Sequence, residues 1–362
     1  MIKMKTKSSM FNGQWSMFNG QCSIVNGLLC CFVLLFLLGC KKSAEVQDVA
    51  DVPLVILDGD FGSSTDDLFA LQMLIRYEEQ GRCQLLGVIV DREGEENAAI
   101  VDVMATYFGH PDLPIALERD GVKNPKVWID YTGLPHFTDE NGEILFSRTL
   151  SDYNALPDGW QFYRQMLVAQ PDHSVSIISV GFVSCLAKLL ESPGDDISPL
   201  SGVELVRRKV KCLYIQGGVF GKANEACYNF GQGIPFAKTL IRLWPSDVDV
   251  IYSPGEVGQC IEYLPELVIS DISWTDCHPI KQVYLCCDCY TGQKMWDALT
   301  VINAIEGDNN FTHSERGTVS INDSAVTTFT PLPTGNSRYQ IPGDSIWADS
   351  ILQKIRNINK IR

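Results

Sequence analysis

Residues 52–67 read Val-Pro-Leu-Val-Ile-Leu-Asp-Gly-Asp-Phe-Gly-Ser-Ser-Thr-Asp-Asp, and this stretch decides the fold class. The run Pro53-Leu54-Val55-Ile56-Leu57 is continuously apolar rather than alternating, the pattern of a strand covered on both faces, and it stops at Asp58. Thr65-Asp66-Asp67 then precedes Leu68-Phe69-Ala70-Leu71, and a hydroxyl followed by two acids suits a helix N-terminus. A buried strand, a glycine-bearing turn and a helix open a parallel α/β sheet.

The same alternation recurs downstream. Apolar runs at 85–90, 113–117, 175–180, 210–216 and 248–252 predict strands, and amphipathic stretches at 97–108, 185–191 and 235–243 predict helices. The expected class is α/β: a Rossmann-like, largely parallel central sheet flanked by helices, with its ligand site beyond the carboxyl ends of the strands. Residues 120–156 break the rhythm with Gly, Pro, Asn and the aromatics Trp128, Tyr131, Phe137 and Phe146, and read as a long excursion over those strand ends. The Thr-, Val-, Ser- and Ile-rich tail at 311–329 predicts late antiparallel strands, before a closing helix at 345–358.

The first 39 residues read as an address rather than as part of the fold. Lys3, Lys5 and Lys7 precede an apolar run at 28–38 that is short for a bilayer span, and the run ends in Leu37-Leu38-Gly39-Cys40. That tetrapeptide resembles a bacterial lipobox, which implies cleavage before Cys40, its acylation, and a mature protein exported to the cell envelope and held on a membrane by lipid. An uncleaved N-terminal anchor is the alternative, and the near-repeat beginning at Met10 and Met17 leaves the true start open. Residues 40–51 read as the lipidated tether and 52–362 as the globular domain, long enough for a well-filled core.

The chain carries 44 acidic against 29 basic residues, a formal charge of −15, which becomes −18 once the three leader lysines are removed. Such a surface excludes nucleic acid phosphates and anionic lipid as natural partners, and suits a neutral small molecule or a bound cation. Cys277, His278, Cys286, Cys287 and Cys289 invite a zinc reading, but Cys286 and Cys289 make only one C-x₂-C knuckle, so buried small hydrophobes are expected.

The stretch from Asp58 to Asp67 packs Asp58, Asp60, Asp66 and Asp67 into ten residues. Two carboxylates about 4 Å apart repel by roughly 4 kcal/mol at an effective dielectric of ~20. A folded loop that gathers them therefore calls for a cation, and oxygen donors without Cys or His favour a hard ion, Ca²⁺ above Mg²⁺ for an irregular loop cage. The simpler alternative is that Asp66 and Asp67 only favour a helix N-terminus while Asp58 and Asp60 face water.

This loop resembles the Asp-x-Asp-x-Gly…Asp-Asp signature of the inosine-uridine preferring nucleoside hydrolases, in a longer form. The Asp-x-Asp loop of haloacid-dehalogenase-type phosphatases fits less well, because it expects Thr or Val where Gly62 stands. Further segments follow in the family's order: SIISVGFVSCLAKLL at 176–190, LYIQGGVF at 213–220, Tyr228-Asn229-Phe230 with Ile234-Pro235-Phe236-Ala237, and Trp296-Asp297-Ala298-Leu299-Thr300-Val301.

The resemblance implies a Ca²⁺-dependent hydrolase of the N-glycosidic bond in a nucleoside or related ribosyl compound. It implies metal ligation by Asp60, Asp67 and Asp297 side chains and by the Ser184 carbonyl, with Asp60 also accepting a proton from the attacking water. Asp66 would hold ribose hydroxyls, Asn229 and Asn224 the 5′ end of the sugar, and Asp58 would brace the loop. It leaves a homo-oligomer open. The chain departs from the family at Cys227, Cys185 and Trp296, where the resemblance would place Glu, Asn and the His that protonates the leaving base. Trp296 could instead stack on base or sugar, and His136 in the long loop is the best remaining acid. These departures motivate the alternative of a non-catalytic, metal-dependent lipoprotein that binds a sugar or nucleoside.

Overall fold

In a computed structural model, which describes residues 52–287 and 291–361, the apolar run after Pro53 forms strand β1 (Leu54–Gly59), buried from its second residue onward. The leader, Cys40, the tether up to Asp51, and Cys289 lie outside the described residues. β1 pairs in parallel with β2 (Gln84–Val90), which pairs with β3 (Ile115–Leu117) at the sheet edge. The chain then returns past β1, so that β4 (Val175–Ser179) lies on its other side, followed outward by β5 (Val210–Gln216) and β6 (Asp249–Ser253), all parallel. The order 3-2-1-4-5-6 reverses between β1 and β4, and the carboxyl ends of those two strands open the crevice where such sheets bind ligands.

Beyond β6 the chain makes a small hairpin of β7 (Glu262–Tyr263) and β8 (Gln293–Lys294). The expected late antiparallel strands are present: β9 (Thr312–His313) opposes β12 (Ser337–Ile341), and β10 (Gly317–Ile321) opposes β11 (Thr327–Pro331). β12 itself pairs in parallel with β6 and extends the parallel sheet by one strand. Its sequence, Ser-Arg-Tyr-Gln-Ile, lacks the apolar run that marks the other parallel strands, and only Ser337 and Gln340 of its five residues are fully buried.

The helices are α1 (Asp66–Glu79), α2 (Glu95–Tyr107), α3 (Gly159–Val168), α4 (Ser184–Glu191), α5 (Gly202–Lys209), α6 (Tyr228–Gln232), α7 (Ile234–Leu243), α8 (Gly255–Gly258), α9 (Pro265–Asp271), α10 (Pro279–Cys286), α11 (Trp296–Glu306) and α12 (Ser345–Asn359). They cover both faces. Val55 and Leu57 pack with α1, α2 and α11 on one side, while Ile56 packs with α3, α4 and α5 on the other. This is the physical reason the β1 sequence is apolar without alternation. α5 opens on a capping box between Ser201 and Glu204, a legible signal that apolar periodicity alone passes over. Among the described residues no helix is long and apolar enough to cross a membrane.

The cysteines do not all behave as buried hydrophobes. Cys286 is exposed, and Cys277 and Cys287 are half-buried. Among the described residues they do not gather with His278 as metal donors. His278, fully buried at the start of α10, meets the edges of Tyr107, Phe108 and Trp274 at ring distances of 5.1, 5.6 and 5.6 Å. Neither of its ring nitrogens has a hydrogen-bond partner. Burial, with Arg76 and Lys281 nearby, pushes its pKa down to about 3.

The folded state therefore keeps His278 neutral, while the unfolded chain takes up a proton below about pH 6.5. Stability from this group is complete above that value and is lost as pH falls towards 3, by at most about 1.4 kcal/mol per pH unit. Urea unfolding of the wild type and His278→Phe should show the variant gaining relative stability by about 1 kcal/mol or more between pH 7 and pH 5; a pH-independent difference would refute this.

Candidate metal and ligand site

The turn after β1 carries Asp60 to the floor of a cavity of about 510 Å³. It is walled by the aspartate loop, the ends of β4 and β5, α8, the hairpin and the start of α11. Gly62, at φ +110°, makes the reversal that a side-chain-bearing residue would resist. Gly181, just beyond β4, lies against the same turn: a Cβ there would stand 2.9 Å from the Asp60 amide nitrogen.

Asp66 and Asp67 occupy the first turn of α1 and Asp297 the first turn of α11. One carboxylate oxygen from each lies within 4.8 Å of the others. Two helix N-termini thus converge on the acids, and their partial positive charge offsets part of the repulsion. Asp66 Oδ1 accepts from Ser64 Oγ at 2.7 Å and Gln293 Nε2 at 3.2 Å. Gln293 also accepts from the Thr65 amide at 3.1 Å, so the hairpin locks the loop to the start of α1.

Asp60 has a cationic partner. Arg92, just past β2, donates to Asp60 Oδ2 at 2.8 Å and to its carbonyl at 3.0 Å, with the guanidinium 5.0 Å from the Phe182 ring centre. Arg92 also donates to the Tyr228 hydroxyl at 3.3 Å.

Burial pushes the Asp60 carboxyl up to about 7 despite Arg92, and Asp66 to about 6 despite the Ser64 hydrogen bond. Asp67 and Asp297 are held well above the ordinary carboxylate range, by burial and then by their acidic neighbours.

The residues fit a hard divalent ion. All donors in the cluster are carboxylate oxygens, and Asp67 Oδ1 is enclosed without a hydrogen-bond partner. Gly59 leaves room for that oxygen, since a Cβ there would lie 2.7 Å from it.

Of the residues singled out in the sequence, Asp60, Asp66, Asp67, Asn229, Trp296 and Asp297 line this one cavity. Asn229 donates to the Val180 carbonyl at 2.7 Å and to Gln216 Oε1 at 2.7 Å, tying β4 to β5. Trp296 spends its indole N–H on the Gly255 carbonyl at 2.9 Å and offers the cavity its ring. Asp58 is fully buried beneath the loop and accepts from the Tyr163 hydroxyl at 2.7 Å, a bracing position.

Three expected residues lie outside the lining. Ser184 does not line the cavity: left-handed Val183, φ 62°, turns the chain into α4, and the Ser184 amide and hydroxyl both donate to Asp91. Val180 stands at the cavity wall instead. Asn224 is exposed at φ 62° and lies outside the lining, while its neighbours Lys222 and Glu225 reach the rim. His136 is likewise exposed and outside the lining. The sequence reading did not find Arg92, Gln293 or Glu256, which come from three separate segments.

A second buried group lies beneath the switch point, where Asp91, Glu118 and Cys185 approach one another. Its donors are already engaged. Asp91 takes both Ser184 groups, and Glu118 takes Lys188 at 2.6 Å and the amides of Arg119 and Asp120 at 2.8 Å each. Cys185 donates to Glu118 at 3.3 Å, so its thiol supports the floor rather than the cavity.

Solved structures share this architecture. A plant nucleoside hydrolase superposes with a TM-score of 0.63 at 16% identity, over 84% of this chain and 98% of its own. The inosine-uridine preferring nucleoside hydrolase of Bacillus anthracis gives 0.62 at 14% identity, over 85% and 99%. The fold is that of the nucleoside hydrolases. The type III effector protein XopQ, complexed with adenosine diphosphate ribose, shares it at a TM-score of 0.57 and 13% identity, over 85% and 94%. No family model matches the sequence, and neither does any curated relative. This chain therefore carries the nucleoside hydrolase fold on a widely diverged sequence.

Because burial raises the carboxyl pKa values, the ion-free fold binds more protons than the unfolded chain above about pH 4, and these groups lower its stability as pH rises to neutrality. In a chelator at pH 7.5, Asp297→Asn should melt above the wild type, with the gap shrinking towards pH 5. Calcium at pH 7.5 should raise the wild-type Tm and leave the variant's nearly unchanged. Equal calcium shifts in both proteins would remove Asp297 from the ion site.

Proposed function

We propose that the protein is a divalent-metal-dependent hydrolase, with calcium as its ion, that cleaves the N-glycosidic bond of a nucleoside or related ribosyl compound. The observation that carries this reading is the convergence of Asp60, Asp66, Asp67 and Asp297 in one cavity at the sheet's switch point. Export and a lipid anchor at Cys40 belong to the same proposal and place the reaction in the cell envelope. The ADP-ribose held by the effector widens the substrate class to be tested beyond simple nucleosides.

Asp60, Asp67 and Asp297 would hold the ion. Such an ion supplies a water whose pKa is lowered towards neutrality. Arg92 fixes Asp60 through Oδ2, which leaves Oδ1 to accept the proton. Asp66, locked by Ser64 and Gln293, offers its oxygens to vicinal sugar hydroxyls. The rings of Trp128, Tyr228 and Trp296 line the same cavity and suit a flat leaving group.

A binding protein without turnover is the second reading. It is favoured by Trp296, whose N–H is committed to Gly255, and by Cys227, whose sulfur accepts from the Gly218 and Phe230 amides.

Sugar release from a panel of nucleosides by the calcium-loaded protein separates the two. The hydrolase reading expects Asp60→Asn to lower turnover by about 10²- to 10⁴-fold. Calcium uptake without release of sugar from any nucleoside would leave the binding protein. Failure to take up calcium or magnesium would remove both.

A further inference from the structure

We propose that Gln216 is a substrate-specificity residue: its side-chain amide donates a hydrogen bond to a hydroxyl oxygen of the ligand, beside a cluster made only of acceptors. This inference rests on the ribosyl reading of the cavity, and Gln216 is outside the set of site residues that the family resemblance implies.

Gln216 is the last residue of β5 and lines the cavity together with Asn229. Which end of its amide faces the ligand is fixed by a chain of hydrogen bonds that begins at the backbone. The Val180 and Gln216 carbonyls can only accept, so the group they meet at 2.7 and 3.3 Å must be the amino end of the Asn229 amide, Nδ2. Nδ2 can only donate, so the Gln216 atom it meets at 2.7 Å must be the oxygen, Oε1. The Gln216 amino group, Nε2, is therefore turned away from Asn229. The acids of the same cavity favour a side-chain amide that presents its N–H end to the ligand space.

Nε2 makes no hydrogen bond within the protein and, unlike the enclosed oxygen Asp67 Oδ1, is not shut off from water. β5 lies between β4 and β6, so the open side of a residue at its carboxyl end is the cavity. The other two buried amides of the lining are spent: Asn229 on the contacts above, and Gln293 Nε2 on Ser64 Oγ at 2.9 Å, Asp66 Oδ1 at 3.2 Å and the Lys294 carbonyl at 2.9 Å. A donor whose sister oxygen is already tied gives its bond to a ligand with little loss of side-chain freedom.

The chemistry of a ribosyl group says which atom accepts. Its hydroxyls give their protons to carboxylates, and each hydroxyl oxygen that does so keeps lone pairs that a second carboxylate would repel and that an amide N–H satisfies. The ring oxygen is the poorer partner. It loses electron density as positive charge develops on the sugar, so a donor fixed on it would oppose bond cleavage. Gln216 thus pairs with a hydroxyl oxygen, and a ligand that lacks this hydroxyl leaves the amide unpaired.

The test uses the calcium-loaded protein and methyl β-ribofuranoside, whose leaving group is poor, with its 2-, 3- and 5-deoxy analogues. Binding is read by calorimetry in the wild type and in Gln216→Met, which is close in shape and removes the donor, with calcium uptake as the check that the variant folds. Gln216→Met should weaken the parent glycoside by about tenfold, while at least one deoxy analogue binds the variant as tightly as it binds the wild type. Gln216→Glu keeps an oxygen facing Asn229 and replaces the donor with a second acceptor. It should show a larger loss for the parent, confined to the same hydroxyl, and it carries the test alone should Gln216→Met fail to fold. Parent binding unchanged in both variants would overturn the assignment. Equal weakening of all four ligands would also overturn it, by putting the amide on the ion's water; the ribosyl reading survives either result. Calcium uptake without binding of any of the four glycosides would overturn the ribosyl reading and this inference together.

Discussion

Four carboxylates, from Asp60, Asp66, Asp67 and Asp297, line one cavity, and the Arg92 guanidinium pairs with Asp60 alone among them. That imbalance is the constraint on which the site depends. In water such a group would spread apart; here the backbone forbids it, because each acid is fixed by the element that carries it. Asp66 and Asp67 cannot leave the first turn of α1, nor Asp297 the first turn of α11, without unwinding a helix whose other face is core. The fold therefore stores a strong preference for positive charge at one point. Protons or a divalent cation are the two ways to meet it, and near neutral pH a cation meets it better.

The support around that point is layered. Gly59, Gly62 and Gly181 let two strand ends and a loop approach within distances that a Cβ would forbid. Gln293 reaches in from a hairpin more than two hundred residues away and joins Thr65, Ser64 and Asp66. Beneath, Asp58 is held by Tyr163, while Asp91 and Glu118 hold the entrance to α4. Asp91 and Glu118 are met by the protein's own donors, whereas Asp67 Oδ1 meets none. This difference separates a scaffold from a site, although both consist of buried carboxylates.

The central part of this organisation was legible because it is local. A strand covered on both faces must be apolar at every position, so 54–57 could be read directly, and the acids that follow it must lie at the sheet's carboxyl edge. Likewise Asp297 opens a helix whose apolar character is plain, and it arrives where the order of segments places it. What escaped was set by tertiary geometry. Ser184 follows the left-handed residue Val183, which carries no sequence signal of its own, and its amide and hydroxyl turn to Asp91. Asn224 sits on an exposed turn, so proximity in sequence to Asn229 did not become proximity in space. Arg92 and Glu256 were silent because a single charged residue after a strand is ordinary until the fold shows what it meets. β12 was missed for a related reason: its polar side chains suit the sheet margin, and its parallel pairing with β6 is a long-range choice.

The cavity's asymmetry has a consequence for the chemistry it can host. Its acids gather at the β1 and α11 side, while Trp128, Tyr228 and Trp296 supply aromatic surface, and no histidine lines it among the described residues. Tyr228 is a poor proton source: its hydroxyl donates to the Lys126 carbonyl, and burial pushes its pKa up to about 12. Trp296 contributes surface rather than a proton, since its N–H is bound to Gly255. Under the hydrolase reading, stabilisation in this cavity would fall where positive charge develops on a sugar as its aglycone departs, rather than on the departing group. A cluster of fixed anions favours an oxocarbenium-like sugar over a neutral one, and that differential is what accelerates bond cleavage. If the ligand is a ribosyl compound, the departure at Trp296 would move the work from the leaving group to the sugar.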